Sequence, residues 1–143
     1  MIGAQPHEQV NLFLNAADVY VSTNMYGNLS NANLEALAAG ACLVMPTSDR
    51  SLPLDTETDR LIPPDVAARY DRDRLPMSLT ETLCRLLQSP EEIAARREGT
   101  SALARRLIRP WSEVVANDIA LLKSVAVHAP SAAMHAEVNR AGN

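Results

Sequence analysis

An α/β fold, with a parallel sheet, flanking helices and a helical carboxyl-terminal part, is predicted by three observations. Apolar runs at residues 17–22 and 42–46 have the length of buried strands. Between them a helical pattern runs from Asn31 and stops at Gly40, and two strands separated by a helix of about ten residues lie parallel, joined by a right-handed crossover. From Ser78 onward the apolar period is that of helices alone.

The elements follow in order. Val10, Phe13, Leu14 and Ala17 recur at helical spacing, predicting a short amphipathic helix over 7–17. The β-branched alternation of residues 18–22 predicts the first strand, and the Asn, Gly and Ser of residues 23–30 predict a loop. Ser30 or Asn31 caps the next helix through a side-chain oxygen, and Gly40 ends it in a left-handed conformation. Cys42 to Met45 form the second strand, closed by Pro46.

Residues 47–77 read as irregular, punctuated by Pro53, Pro63, Pro64 and Pro76, with only residues 60–63 strand-like, as the third parallel strand. Two capping boxes, Ser78 with Glu81 and Ser89 with Glu92, open two helices, the second with Pro90 at its first position. Leu79, Leu83, Leu86 and Leu87 form the apolar stripe of the first; Ile93, Leu103 and Leu107 mark the second, whose arginines read as a solvated face. A last helix is capped by Ser112 and anchored by Trp111, with Val114, Val115, Ile119, Leu122 and Val125 facing one way. Residues 1–127 are read as one unit and the Ala-rich 128–143 as a frayed or disordered tail.

Composition excludes several classes. With 47% apolar residues, 143 positions suffice for one buried core. A net charge of -4, a pI near 5.3 and only 3% aromatic residues argue against nucleic acid as a partner, which needs a basic face and stacking platforms. Cys42 and Cys84 lack CxxC spacing and read as two small core thiols in a reducing compartment, so neither a disulfide nor a metal site is expected. His128 and His135 have no ligand spacing. No leader is seen, and no stretch approaches the roughly 20 apolar residues of a span. A cytoplasmic location follows, with the pairs Arg96-Arg97 and Arg105-Arg106 as the one feature that would touch an anionic membrane surface.

Residues 1 to about 125 resemble the end of the C-terminal, donor-binding domain of the retaining family 4 glycosyltransferases of GT-B fold. The likeness lies in the order of short signals. They are Ala16-Ala17-Asp18, the strand Val19 to Val21, the polar loop, Leu34-Glu35-Ala36 closing in Ala39-Gly40, Leu43-Val44, Leu61-Ile62-Pro63-Pro64, Leu86-Leu87, Pro90-Glu91-Glu92 and Trp111. The resemblance implies a partial Rossmann-like half-domain, a hexosyltransferase type of activity, a nucleotide-sugar donor as co-substrate with no metal or other cofactor, and a glycan, lipid or small acceptor. Two glutamates of the family flank the loop: the second, which contacts the ribose hydroxyls, falls on Glu35, and the first, which meets the transferred sugar, falls on Gly27. The chain therefore lacks the first carboxylate, and Tyr26, Asn28, Ser30 and Asn31 are the candidates to supply hydroxyl and amide contacts instead.

The chemistry is suited to these residue types. Unpaired amides at a helix start, near Asn31, Ala32, Asn33 and Leu34, favour a diphosphate through both hydrogen bonding and the helix dipole. An ionised Glu35 one turn inside accepts both hydrogen bonds of a ribose diol. The donor-binding set is thus Gly27, Asn28, Ser30, Asn31, Asn33, Leu34 and Glu35, with the catalytic residues unknown. In the family the leaving diphosphate is stabilised by basic residues from an earlier part of the domain. By this likeness the chain is a fragment whose partner is the missing N-terminal half, in cis or in trans, and on its own it is expected to transfer no sugar.

Plainer readings exist for each residue. Glu35 also suits a first-turn surface acid, the asparagines suit caps and turns, and His7 suits a solvated helix start. Asp49, Arg50, Asp55 and Asp59 read as loop polarity without dyad spacing. Together these readings describe the alternative, a non-catalytic Rossmann-like interaction module that keeps the fold without donor chemistry.

Overall fold

A computed structural model describes residues 3, 5–24, 29–49, 51 and 53–128. The chain divides between Ile108 and Arg109 into two compact units.

The first unit is α/β. It contains α1 (His7–Ala16), β1 (Val19–Val21), α2 (Asn31–Ala38), β2 (Cys42–Pro46), α3 (Pro53–Leu61), β3 (Ala67–Tyr70), a 3-10 turn at Arg72–Arg74, α4 (Met77–Leu87) and α5 (Pro90–Leu107). The three strands form an open parallel sheet in the order β1-β2-β3, with Val19 opposite Cys42 and Leu43 opposite Ala67. All five residues of β2 are buried, as expected for a central parallel strand covered on both faces. Leu43 and Met45 point to the face packed by Ala36 and Leu37 of α2 and by Leu103 and Ala104 of α5. Cys42 and Val44 point to the other, where Leu86 of α4 lies against Ala68 and Tyr70.

The crossover helix α2 ends as its sequence predicts. Gly40 has φ +67, its amide bonds the Leu37 carbonyl at 3.1 Å, and the Ala41 amide bonds that of Ala36 at 3.1 Å. This paired arrangement satisfies the last carbonyls of the helix and turns the chain into β2.

Between β2 and α4 the structure differs from the sequence reading. Residues 53–61 are helical, opened by Pro53, and the third strand is Ala67–Tyr70 rather than residues 60–63. Pro63 and Pro64 have no amide to donate to a ladder, so pairing with β2 begins beyond them. Ile62, one of the residues read as strand-like, is instead fully buried just past the end of α3. Alanines are poor strand formers, but Ala67 and Ala68 suit a fully covered position, where packing overrides propensity.

Neither capping box forms. The Ser78 hydroxyl lies inside the first turn of α4 and donates to the Asp71 carbonyl, and Pro76 precedes the helix. Ser89 makes no side-chain cap; its amide is taken by the Leu86 carbonyl at 3.0 Å, which removes the donor that Glu92 would have reached back to. The buried stripe of α4 is Ser78, Thr82 and Leu86, flanked by Leu79 and Leu83. Leu87 stands one position off that stripe and is 71% exposed. Cys84 also falls on the outer face, so only Cys42 is a core thiol, and burial pushes its pKa up.

Helix α5 passes beneath the amino ends of the strands. Ile93 packs with the α4 face, whereas Leu103 and Ala104 pack with the α2 face. Between them Arg96 donates to the Pro64 carbonyl at 3.0 Å and to that of Asp65 at 3.4 Å, just before β3. Arg97 reaches the Ala17 carbonyl and Asp18 at 3.5 Å, just before β1. These two arginines therefore clamp the sheet rather than form a solvated face; Arg105 and Arg106 do remain exposed.

The second unit contains α6 (Trp111–His128). Its first turn is closed by Pro110, whose carbonyl accepts from Glu113 and Val114. Trp111 is 77% exposed and so does not anchor the helix by burial. Residues 129–143, read as a frayed tail, lie outside the described residues. Among the described residues no helix is long and apolar enough to cross a membrane.

Candidate functional site

The carboxyl ends of the strands in an open parallel sheet are where loops and helix starts converge. In this chain the loop after β1 leads into α2 there, and α1, which runs back toward the amino end of β1, also starts on that side. Gly27 and Asn28, together with Tyr26, lie outside the described residues.

Ser30 is the cap of α2. Its backbone is extended, its hydroxyl accepts the Asn33 amide at 3.3 Å, and its carbonyl accepts the Leu34 amide at 3.0 Å. Asn31 is exposed, and among the described residues the amides of Asn31 and Ala32 have no partner. Asn33 turns inward. It is 1% exposed, and its Oδ1 accepts from the Tyr20 hydroxyl at 3.2 Å. Leu34 is half-buried.

Glu35 is half-buried in a cleft of about 190 Å³ between α1 and α2, lined also by His7, Val10, Asn11, Leu14 and Ala38. Among the described residues its carboxylate makes no hydrogen bond or ion pair. Tyr20 lies within range of that charge: burial first, and Glu35 second, raise the pKa of its hydroxyl. The cleft thus joins an unpaired acid, a histidine, an amide and a largely apolar wall.

Sequence reasoning singled out Glu35 and treated His7 as solvent-facing, but missed Asn11 and Tyr20. Two signals were available. Asn11 is one helical turn from His7 and shares its face. Tyr20 is the β1 residue whose side chain points to the α2 side of the sheet, with Leu43.

A second polar cluster lies beside β3. Arg69 bonds the carbonyls of Pro46 at 3.2 Å and Ile62 at 3.1 Å and pairs with Asp59 at 3.1 Å, while the Ser48 hydroxyl donates to Asp59 at 2.6 Å. Arg72 pairs with Asp49 at 2.7 Å. Asp49 and Asp59 are therefore fasteners of α3 and the loops to the sheet, not unengaged loop charge; Arg50 lies outside the described residues. The Ser51 hydroxyl and amide, followed by Arg72, hold the Asp49 carboxyl down at about 2.

A depressed carboxyl contributes stability that is complete above its unfolded pKa of about 3.9 and is lost as pH falls through the folded value. Asp49→Asn is accordingly expected to lower the melting temperature at pH 5, and by much less at pH 2, where the folded carboxyl is already about half protonated. Thermal melts of both proteins across that range, followed by circular dichroism, check it; a gap as large at pH 2 as at pH 5 would assign Asp49 another role.

Among the described residues no cluster of histidine, cysteine or carboxylate groups is arranged to hold a metal ion. No protein-family model, curated protein or solved structure matches the chain.

Proposed function

We propose that the first unit is the donor-binding side of a glycosyltransferase site, a partial Rossmann-like half-domain of the GT-B kind that takes a nucleotide-sugar. The observation that carries this reading is the half-buried Glu35 carboxylate in the α1–α2 cleft, which has no partner among the described residues. A carboxylate so placed can accept the two hydroxyls of a ribose at once. The Asn31 and Ala32 amides at the start of the same helix then meet the diphosphate, favoured by the helix dipole. The apolar wall of Val10 and Leu14, with His7 and Asn11 at its rim, suits the flat face and polar edge of a base. Within this reading Ser30 and Asn33 act as positioning residues, since the cap and the Tyr20 bond fix where α2 begins.

A second reading, the non-catalytic interaction module, is favoured by Asn33. Its amide and its side-chain oxygen are both used inside the fold. The two are separated by calorimetric titration of the full chain with uridine and guanosine diphosphate sugars. Donor binding is expected to weaken about 10- to 100-fold in Glu35→Ala, the loss of hydrogen bonds to a charged group. A 2′-deoxyribose donor should lose comparable affinity on the unmodified chain and little more on the variant. Absence of binding by every donor at millimolar concentration would refute the donor site and leave the module.

A further inference from the structure

We infer that α6 is a homodimerisation helix, which pairs in parallel with α6 of a second copy of this chain through a short two-stranded coiled coil. The helix carries a row of exposed apolar residues: Leu122 is 69% exposed, and Ile119 and Val125 are exposed as well, while Val115 on the same face is half-buried. Placing Ile119 at heptad position a puts Leu122 at d, Val115 at the preceding d, and Ser112 and Ala126 at the flanking a positions. This seam is unbroken by charge. A β-branched residue at a with leucine at the following d is the combination that favours two strands.

The flanking positions select the partner and its direction. In a parallel pair each g residue lies over the e residue five positions later on the other helix. Asp118 at g then meets Lys123 at e of the second copy, and Trp111 at g covers Ala116 at e, bulky against small. The symmetry of the pair repeats both contacts. An antiparallel pair would instead set g against g and e against e, leaving Asp118 and Lys123 without each other. Glu113 lies on the far side of the helix and pairs with Arg109 at 3.3 Å. With two acids against one lysine between Glu113 and Lys123, the helix also lacks the cationic face that an anionic lipid surface would require.

From Ser112 to Ala126 the seam is only about 21 Å long, so the dimer is expected to be weak and concentration-dependent. Sedimentation equilibrium of the full chain from micromolar to millimolar concentration should show a monomer–dimer equilibrium. Lys123→Asp should weaken it on the order of tenfold through two like-charge contacts, and Asp118→Lys combined with Lys123→Asp should restore it. Ser112→Cys, made with Cys84→Ser, should form an intermolecular disulfide on mild oxidation, because a meets a only in the parallel register. Circular dichroism of each variant establishes that the helix content is kept. A chain that stays monomeric throughout, a dimer indifferent to the charge exchange, or a Ser112→Cys variant that fails to cross-link would each overturn the inference.

Discussion

Replacing Gly40 with alanine is expected to destabilise the first unit by about 2–3 kcal/mol, read as a lower denaturation midpoint with an unchanged slope. Two separate terms add. Gly40 sits at φ +67, where an L residue other than glycine costs about 1–2 kcal/mol. A Cβ built there also falls 2.5 Å from the Ser101 hydroxyl oxygen of α5. Rotating that hydroxyl away costs roughly a further 0.5–1.5 kcal/mol.

The two terms are separable because the next atom of Ser101, its Cβ, is 3.8 Å away, an ordinary contact. On a Ser101→Ala background Gly40→Ala should therefore cost only the backbone share, about 1–2 kcal/mol, leaving a coupling of about 1 kcal/mol in the double-mutant cycle. Additive losses would show that α5 does not approach the α2–β2 turn this closely. The glycine thus has two duties. It ends the crossover helix, and it lets α5 pass against the amino end of the central strand.

The second large effect is expected at Arg96. Its side chain is 15% exposed, is held by Glu92 at 2.9 Å, and donates to the Pro64 and Asp65 carbonyls in the turn before β3. Arg96→Ala removes a charged donor from two backbone acceptors at once, a loss of about 2–3 kcal/mol. The melting temperature should fall on the order of 10 °C. Arg96→Lys should recover less than half, since one ammonium cannot reproduce the planar fork that spans Glu92 and the two carbonyls. Arg105→Ala, on an exposed part of the same helix, should change stability by no more than about 0.5 kcal/mol. Equal effects at Arg96 and Arg105 would remove the clamp from the account of the fold.

Where local chemistry and burial agree, the sequence was legible. The βαβ unit is the clearest case: β2 is apolar throughout because it is covered on both faces, and the Ser30 cap and Gly40 stop are single-residue requirements of helix ends. Glu35 was found for the same reason, as an acid in the early turns of a capped helix. The cleft beside it was not, because its other wall is α1 and helix pairing is not written in any local pattern. The third strand was misplaced, since Ala67 and Ala68 carry no strand signal until β2 supplies their pairing and α2, α4 and α5 their burial.

The capping boxes failed for a related reason. A serine followed three residues later by a glutamate is a local motif, yet the Ser78 hydroxyl bonds the Asp71 carbonyl and the Ser89 amide is taken by Leu86 at the end of α4. The sequence by itself determined the α/β class, the parallel crossover, and the helix bearing Glu35, because each rests on periodicity and end chemistry within a few residues. The tertiary structure alone decided which alanines pair as a strand, that Arg96 and Arg97 clamp rather than face solvent, and that His7, Asn11 and Glu35 share one cleft. Those outcomes depend on groups far apart in the chain, whose burial and hydrogen-bond partners exist only once the sheet has formed.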